Sequence, residues 1–203
     1  SHDGLIHGGQ GALGMLFARW FVSQGTKKLF LCSQSGHVRH GLNGEMSEIV
    51  NAQCEVFFLK ANIACQDNLC SSPLLHKTTS DLTVLHGAGI LRDSTVPQQR
   101  YHQVMDVFAP KHRGVQNSSN ACWSLAIHSE VGFSSIAALL GSAGQISYSA
   151  ANAFLDSYMS SSHRHGRPSF SIQWGAWGNI GMAQTAGIKE TVSYTHLTLP
   201  TTE

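Results

Sequence analysis

The chain has 203 residues, 42% of them hydrophobic, with 20 glycines, 5 prolines and only 12% charged side chains, which bounds it as one ordinary globular unit able to bury a core. Thirteen Lys and Arg against twelve Asp and Glu give a formal charge of +1, so no basic field exists to hold a nucleic acid or an anionic membrane, and neither is expected as a partner. No apolar run approaches the roughly 20 residues that cross a bilayer, and residues 1–11 hold no charged segment followed by an apolar one.

The first β-favouring stretch has only Leu5 and Ile6 as apolar members. A buried strand usually has about four to six residues, so the chain is expected to start inside or just before this one. Next comes HGGQGALG at 7–14, with GxGxxG at Gly9, Gly11 and Gly14, running into a helix predicted over 12–24 with Leu13, Leu16, Phe17, Trp20 and Phe21 on one stripe. A continuously apolar run at 28–32 (KLFLC) reads as a buried strand, 42–52 as a helix, 54–59 (CEVFFL) and 82–86 (LTVLH) as strands, and 98–108 as a helix. A strand at 131–134 (VGFS), a helix at 148–163 and a strand at 170–174 (FSIQW) follow. Alternating strands and helices predict an α/β doubly wound parallel sheet with helices on both faces.

The end of the chain differs in kind. Residues 192–203 (VSYTHLTLPTTE) carry no helical stripe, and SYTHLTLPTT resembles translated cloning or adapter sequence. The expected organisation is one folded unit over 1–192, cut at both ends, with a non-native, disordered tail at 193–203.

The glycine loop lies between a strand and a helix, as a dinucleotide site requires. Gly9 permits the tight turn, Gly11 lets a pyrophosphate approach the backbone and Gly14 lets the helix pack on the sheet, with the helix N-terminus facing the anion. The second strand ends in Cys32, Ser33, Gln34, Ser35 and Gly36, with no Asp or Glu to pair with a ribose 2′-hydroxyl. Ser33 and Ser35, with His37 or Arg39, could hydrogen-bond a 2′-phosphate, which favours NADPH over NAD. At 131–156 (VGFSSIAALLGSAGQISYSAANAFLD) a strand delivers Ser134 and Ser135 at its carboxyl end, and a helix sets Tyr148 and Asn152 one turn apart on one face. A serine hydroxyl beside a phenol is a plausible proton-donating site.

Cys32, Cys54, Cys65, Cys70 and Cys122 form no CxxC pair and suit reduced thiols in a cytosolic protein better than a disulfide framework or a zinc site. Twelve histidines include no HExxH, and no metal is expected.

These motifs, with LHGAGILRD at 85–93, APKHRG at 109–114 and IQWGAWGNIGMA at 172–183, resemble the ketoreductase domain of type I polyketide synthases, a branch of the short-chain dehydrogenase/reductase superfamily. The ketoreductase of animal-type fatty acid synthase is its close relative. The likeness spans about residues 4–185 and implies a Rossmann-like three-layer αβα fold. It implies NADPH-dependent reduction of a β-ketoacyl thioester, presented on the phosphopantetheine of an acyl carrier protein, among the other domains of a synthase.

Carried over residue by residue, the resemblance makes Lys111, Ser135, Tyr148 and Asn152 catalytic. The lysine comes before the serine, where free-standing family members place it after the tyrosine. Ser135 would hydrogen-bond the carbonyl oxygen, Tyr148 would protonate it, Lys111 would favour ionisation of the phenol, and Asn152 would hold a water or backbone link to the relay.

For the cofactor it implies Gly9, Gly11, Leu13 and Gly14 in the phosphate loop, Ser33, Gln34 and Ser35 at the ribose end, Asn62 and Ile63 near the adenine, and Ala88 and Gly89 in the strand-end motif His86 to Gly89. Gln34 stands where polyketide ketoreductases carry arginine, Asn62 where they carry aspartate and Ala176 where they carry proline. Asn62 and Ala176 match the fatty-acid-synthase branch. Asp93 keeps the last aspartate of a Leu-Asp-Asp signature, and Leu140 stands where the opposite branch carries tryptophan, which implies a D-hydroxy product. Two rival readings are a catalytically silent reductase-like module that holds neighbouring domains, and a free-standing reductase of a small ketone.

Overall fold

A computed structural model describes residues 2–66, 77–78 and 81–175. Expectations for Cys70, Ala176 and residues 192–203 fall outside them. Chain order is β1 (Asp3–His7), α1 (Ala12–Ser23), β2 (Lys28–Ser33), α2 (Asn43–Asn51), β3 (Glu55–Lys60), β4 (Leu82–His86), α3 (Tyr101–Ala121), β5 (Ile127–Ser135), α4 (Ala137–Leu140), α5 (Ile146–Arg164) and β6 (Ser169–Trp174). The six strands are parallel in the order β3-β2-β1-β4-β5-β6, the doubly wound arrangement whose direction reverses between β1 and β4.

Side chains alternate across the sheet and sort into two cores. Ile6, Leu29, Leu31, Leu85 and Phe133 face α1 and α2, where they meet Met15, Ala18, Phe21 and Ile49. Leu5, Phe30, Cys32 and Val84 face the opposite way, towards Cys122 at the end of α3, while α5 packs Leu155 and Met159 on Val115 of α3. The chain thus forms three αβα layers. Leu5, Ile6, Leu29, Phe30, Leu31 and Leu82 are fully buried, and at about 1.5–3 kcal/mol each these strand residues dominate the apolar stabilisation.

The first strand, Asp3–His7, is buried throughout, its polar ends Asp3 and His7 included. Two expectations change. The buried stripe of α1 is Gly14, Met15, Ala18 and Phe21, while Trp20 is half exposed. The helix is rotated so that Gly14, rather than the larger Leu13, faces the loop. Helix α3 begins three residues later than predicted and continues to Ala121, straight through Pro110. Proline removes one hydrogen bond there, but Val107, Lys111, Gly114, Val115, Asn117 and Ser118 bury one face of the helix across it.

Two neutral imidazoles lie at the strand ends. His7 Nδ1 and His86 Nδ1 are 3.3 Å apart, and His86 Nε2 is 3.0 Å from Pro110 O. A carbonyl only accepts, so His86 Nε2 bears its proton and His86 Nδ1 accepts one from His7 Nδ1. Burial pushes His7 from 6.5 down to about 3 and holds His86 well below its ordinary value. Because the folded pKa of His7 lies below the unfolded one, its contribution is complete above pH 6.5 and drains away as pH falls towards 3. Urea unfolding between pH 6.5 and 4 should therefore show a slope shallower by about 1.4 kcal/mol per pH unit in His7→Gln, which keeps a donor for His86, than in the unaltered chain. Equal slopes would show that His7 titrates alike in both states.

Candidate active site

A cleft of about 440 Å³ opens at the carboxyl ends of β1 and β4, where the strand order reverses. Ligands bind open parallel sheets at this place. Its floor is the turn after β1, anchored by Gly8 N and Gly9 N donating to Cys32 O at 2.9 and 3.1 Å, with Gly8 at φ 78°. A Cβ on Gly14 would stand 2.3 Å from Gly8 O and 2.5 Å from Gly9 Cα, so only glycine lets α1 begin against the turn. Gly11, which caps α1, makes no side-chain capping bond, and the first turn holds no acid. The helix thus presents uncapped N–H groups and positive dipole to the cleft, a seat for an anion.

Of the cofactor residues expected from sequence, Gly11, Leu13, Gly14, Ser33, Ser35, Ala88 and Gly89 line this cleft together, and so do His37 and Arg39. Gly9, Gln34, Asn62 and Ile63 are not on its wall. Gly9 supports the turn from beneath, Gln34 is exposed, Asn62 Oδ1 accepts Ala64 N at 3.1 Å, and Ile63 is core, its carbonyl accepting Asn117 Nδ2 at 2.8 Å.

Gln10 is the residue that sequence reasoning missed. It is buried, its Nε2 donates to Leu31 O at 3.4 Å, its Oε1 accepts Ser33 Oγ, and its carbonyl accepts Arg39 N at 3.0 Å. The side-chain amide thereby draws the tip of β2 onto the glycine turn, and the main-chain carbonyl of the same residue holds the backbone of Arg39. Its only sequence signal is its place between the loop glycines.

The second half of the site comes from β5, α3 and α5. The paired serines divide their work: Ser134 Oγ donates to Asn152 O at 3.4 Å, tying strand to helix, while Ser135 Oγ accepts Ala137 N at 3.2 Å and lies near enough to Tyr148 to favour its phenolate. Burial raises the Tyr148 phenol above its ordinary value, hydrogen bonds from Ser135 and Asn152 oppose that rise, and the Asp93 charge adds to it. Asn152 is fully buried, with Nδ2 donating to Tyr148 O at 2.9 Å. Lys111 is buried and donates from Nζ to Phe133 O. Phe133 lines the cleft, so the ammonium sits behind the cleft wall. Burial lowers Lys111 to about 8, against the pull of Asp156, so it is mostly protonated at pH 7.

Asp93 Oδ2 accepts Gln145 Nε2 at 3.0 Å, tying its turn to the residue that precedes α5, and Leu140 is exposed. At the opposite end of the sheet His2, Asp81 and His128 bring possible metal ligands within 4.8 Å. The two imidazoles stack in nearly parallel planes at 3.6 Å, which keeps one ion out of both ring planes, and we assign no metal to them.

The KR domain family matches residues 4–179. Among curated proteins, the chain is 33% identical over 180 residues to polyketide synthase GfsB of Streptomyces halstedii, covering 88% of this chain and 3% of that protein. It is 33% identical over 199 residues to 6-methylsalicylic acid synthase of Aspergillus niger, covering 90% and 11%. The chain therefore spans a small fraction of these relatives. Among solved structures, an A-type ketoreductase from a modular polyketide synthase superposes with a TM-score of 0.83 at 30% identity, covering 90% of this chain and 39% of that one. The first ketoreductase of the tylosin synthase gives 0.81 at 32%, covering 90% and 40%.

The Gly14 contact gives a direct test. Gly14→Ala should destabilise the chain by about 1–3 kcal/mol, the usual penalty for overpacking, and abolish dinucleotide binding measured by calorimetry. Unchanged stability and binding would refute the close approach.

Proposed function

Because the chain belongs to the KR domain family of polyketide synthase ketoreductases, we propose that it reduces a β-ketoacyl thioester to the β-hydroxyacyl thioester. The substrate rides on the phosphopantetheine arm of an acyl carrier protein within a larger polyketide or fatty acid synthase, and the reductant is NADPH. The carrying observation is that β5 delivers Ser135 at its carboxyl end, next to Tyr148 in the first turn of α5, at the same end of the sheet as the glycine-lined cleft.

A ketone becomes an alcohol by gaining a hydride at carbon and a proton at oxygen. NADPH, when bound, supplies the hydride. Tyr148 supplies the proton: burial keeps its phenol protonated near neutrality, and the carbonyl oxygen becomes basic as negative charge develops on it. Ser135 donates a hydrogen bond to the same oxygen, in the manner of an oxyanion donor. Lys111, charged at neutral pH, makes the phenolate that remains less costly. Asn152 Oδ1, a buried acceptor without a partner among the described residues, holds the water through which the phenol regains its proton.

The residues of the cleft fit a phosphorylated dinucleotide. The uncapped start of α1 takes the pyrophosphate. Arg39, with Ser33 and Ser35, holds the 2′-phosphate in place of the arginine that Gln34 replaces, and among the described residues no acid lines the cleft to repel it.

Two variants test the assignment on the full chain. Tyr148→Phe should lower kcat towards a β-ketoacyl thioester by about 10²–10⁴-fold with an unchanged melting temperature, whereas equal turnover would remove Tyr148 as proton donor. Arg39→Ala should weaken NADPH binding by roughly tenfold or more and leave NADH unaffected. Equal losses for both nucleotides would assign the 2′-phosphate to another group.

A further inference from the structure

Buried Lys111 and Asn152 and half-buried Asp156 hold hydrogen-bonding capacity that the described residues leave unused. Lys111 Nζ has three N–H donors and its bond to Phe133 O takes one. Asn152 Oδ1 and Asp156 Oδ1 are buried acceptors without a partner. The remaining polar atom of each is engaged: Asn152 Nδ2 donates to Tyr148 O at 2.9 Å, and Asp156 Oδ2 accepts Gln173 Nε2 at 2.8 Å. Two spare donors on a cation therefore lie in the same layer as two spare acceptors, one of them anionic. Orphaned buried polar atoms of this kind are rare, because each costs about 1–3 kcal/mol unless a water or a neighbour satisfies it.

The placement of Asp156 is not accidental packing. Tyr148, Asn152 and Asp156 recur every four residues along α5 and so share one face. Gln173 lies opposite Ser134 in the β5–β6 register and aims its amide at the Asp156 carboxylate, leaving Oδ1 for the interior. Around Lys111, β5 offers the Phe133 carbonyl, β4 offers His86, held neutral by burial, and α5 offers Asp156. Asp156 is the acid whose charge reaches the ammonium.

We propose that Asp156 is the counter-ion and positioning residue of Lys111, joined to it, together with Asn152, through ordered water. Its carboxylate keeps the buried ammonium charged, and the Gln173 amide keeps the carboxylate in place. The importance of this pair for turnover rests on the ketoreductase reading; the pairing itself does not.

The test follows the Lys111 titration by ¹³Cε NMR in the full chain, beside the pH dependence of kcat/KM. Asp156→Asn keeps shape and removes charge, so Lys111 should titrate about one pH unit lower, the alkaline limb of kcat/KM should move down with it, and Asp156→Glu should restore most of both. An unmoved Lys111 titration overturns the proposal, as does an alkaline limb that fails to follow it. A titration that moves in a chain showing no turnover supports the pairing and removes the ketoreductase reading. A melting comparison stands apart from activity and survives poor folding of the single variant: Lys111→Met/Asp156→Asn, with no unpaired cation left inside, should melt above Asp156→Asn alone. A double variant that melts no higher overturns the pairing.

Discussion

The missing side chain at Gly14 is the constraint on which the rest of the architecture leans. With 2.3 Å between its notional Cβ and Gly8 O, α1 starts against the turn only if that position is bare. The contact fixes the rotation of the helix, which turns Met15, Ala18 and Phe21 into the core and swings Trp20 to the surface. It also brings the uncapped first turn of α1 to the floor of the cleft. Fold and ligand seat are thus set by one close approach.

Local signals explain what could be read directly from residues. The runs that became β2, β3 and β4 were legible to within a residue or so: the interior strands β2 and β4 are buried and apolar, and the edge strand β3, only partly buried, is still marked by its β-favouring Val56, Phe57 and Phe58. The glycine turn was legible because its spacing is itself the mechanism. The stripe of α1 was misread because large apolar side chains attract attention, while the face that packs was chosen by a glycine. The second half of α3 was invisible because Pro110 looks like a stop, and only burial along the sheet overrides it. Lys111 carried no local signal as an acid–base residue; a family resemblance pointed to it, and its burial beside Phe133 depends on elements far apart in sequence. Gln10, whose amide ties the glycine turn to β2, and the interior oxygen of Asp156 likewise have meaning only in three dimensions.

The two halves of the site are mechanically joined at Phe133. Its residue lines the cleft, its ring packs 4.6 Å from Phe17 of α1 and 5.8 Å from Trp174 of β6, and its carbonyl receives the Lys111 ammonium. A shift of α1 is therefore felt at the lysine through one aromatic residue and its backbone. Sub-ångström placement of reacting groups governs rates steeply, so this shared anchor helps to keep the proposed nucleotide seat and the proposed proton donor in register.

The strand order also has a consequence for how the protein is made. Strand β1 emerges first yet ends in the middle of the sheet, between β2 and β4. Once Ser33 has left the ribosome, the glycine turn can already close on Cys32, but the other edge of β1 stays bare until Leu82–His86 follows. At about 5–20 residues per second that interval lasts on the order of several seconds. Through it, a short apolar strand displays unpaired backbone groups to any neighbouring nascent chain. On a polysome translating many copies of one message, this interval exposes the growing chain to wrong strand pairing before the sheet can seal itself.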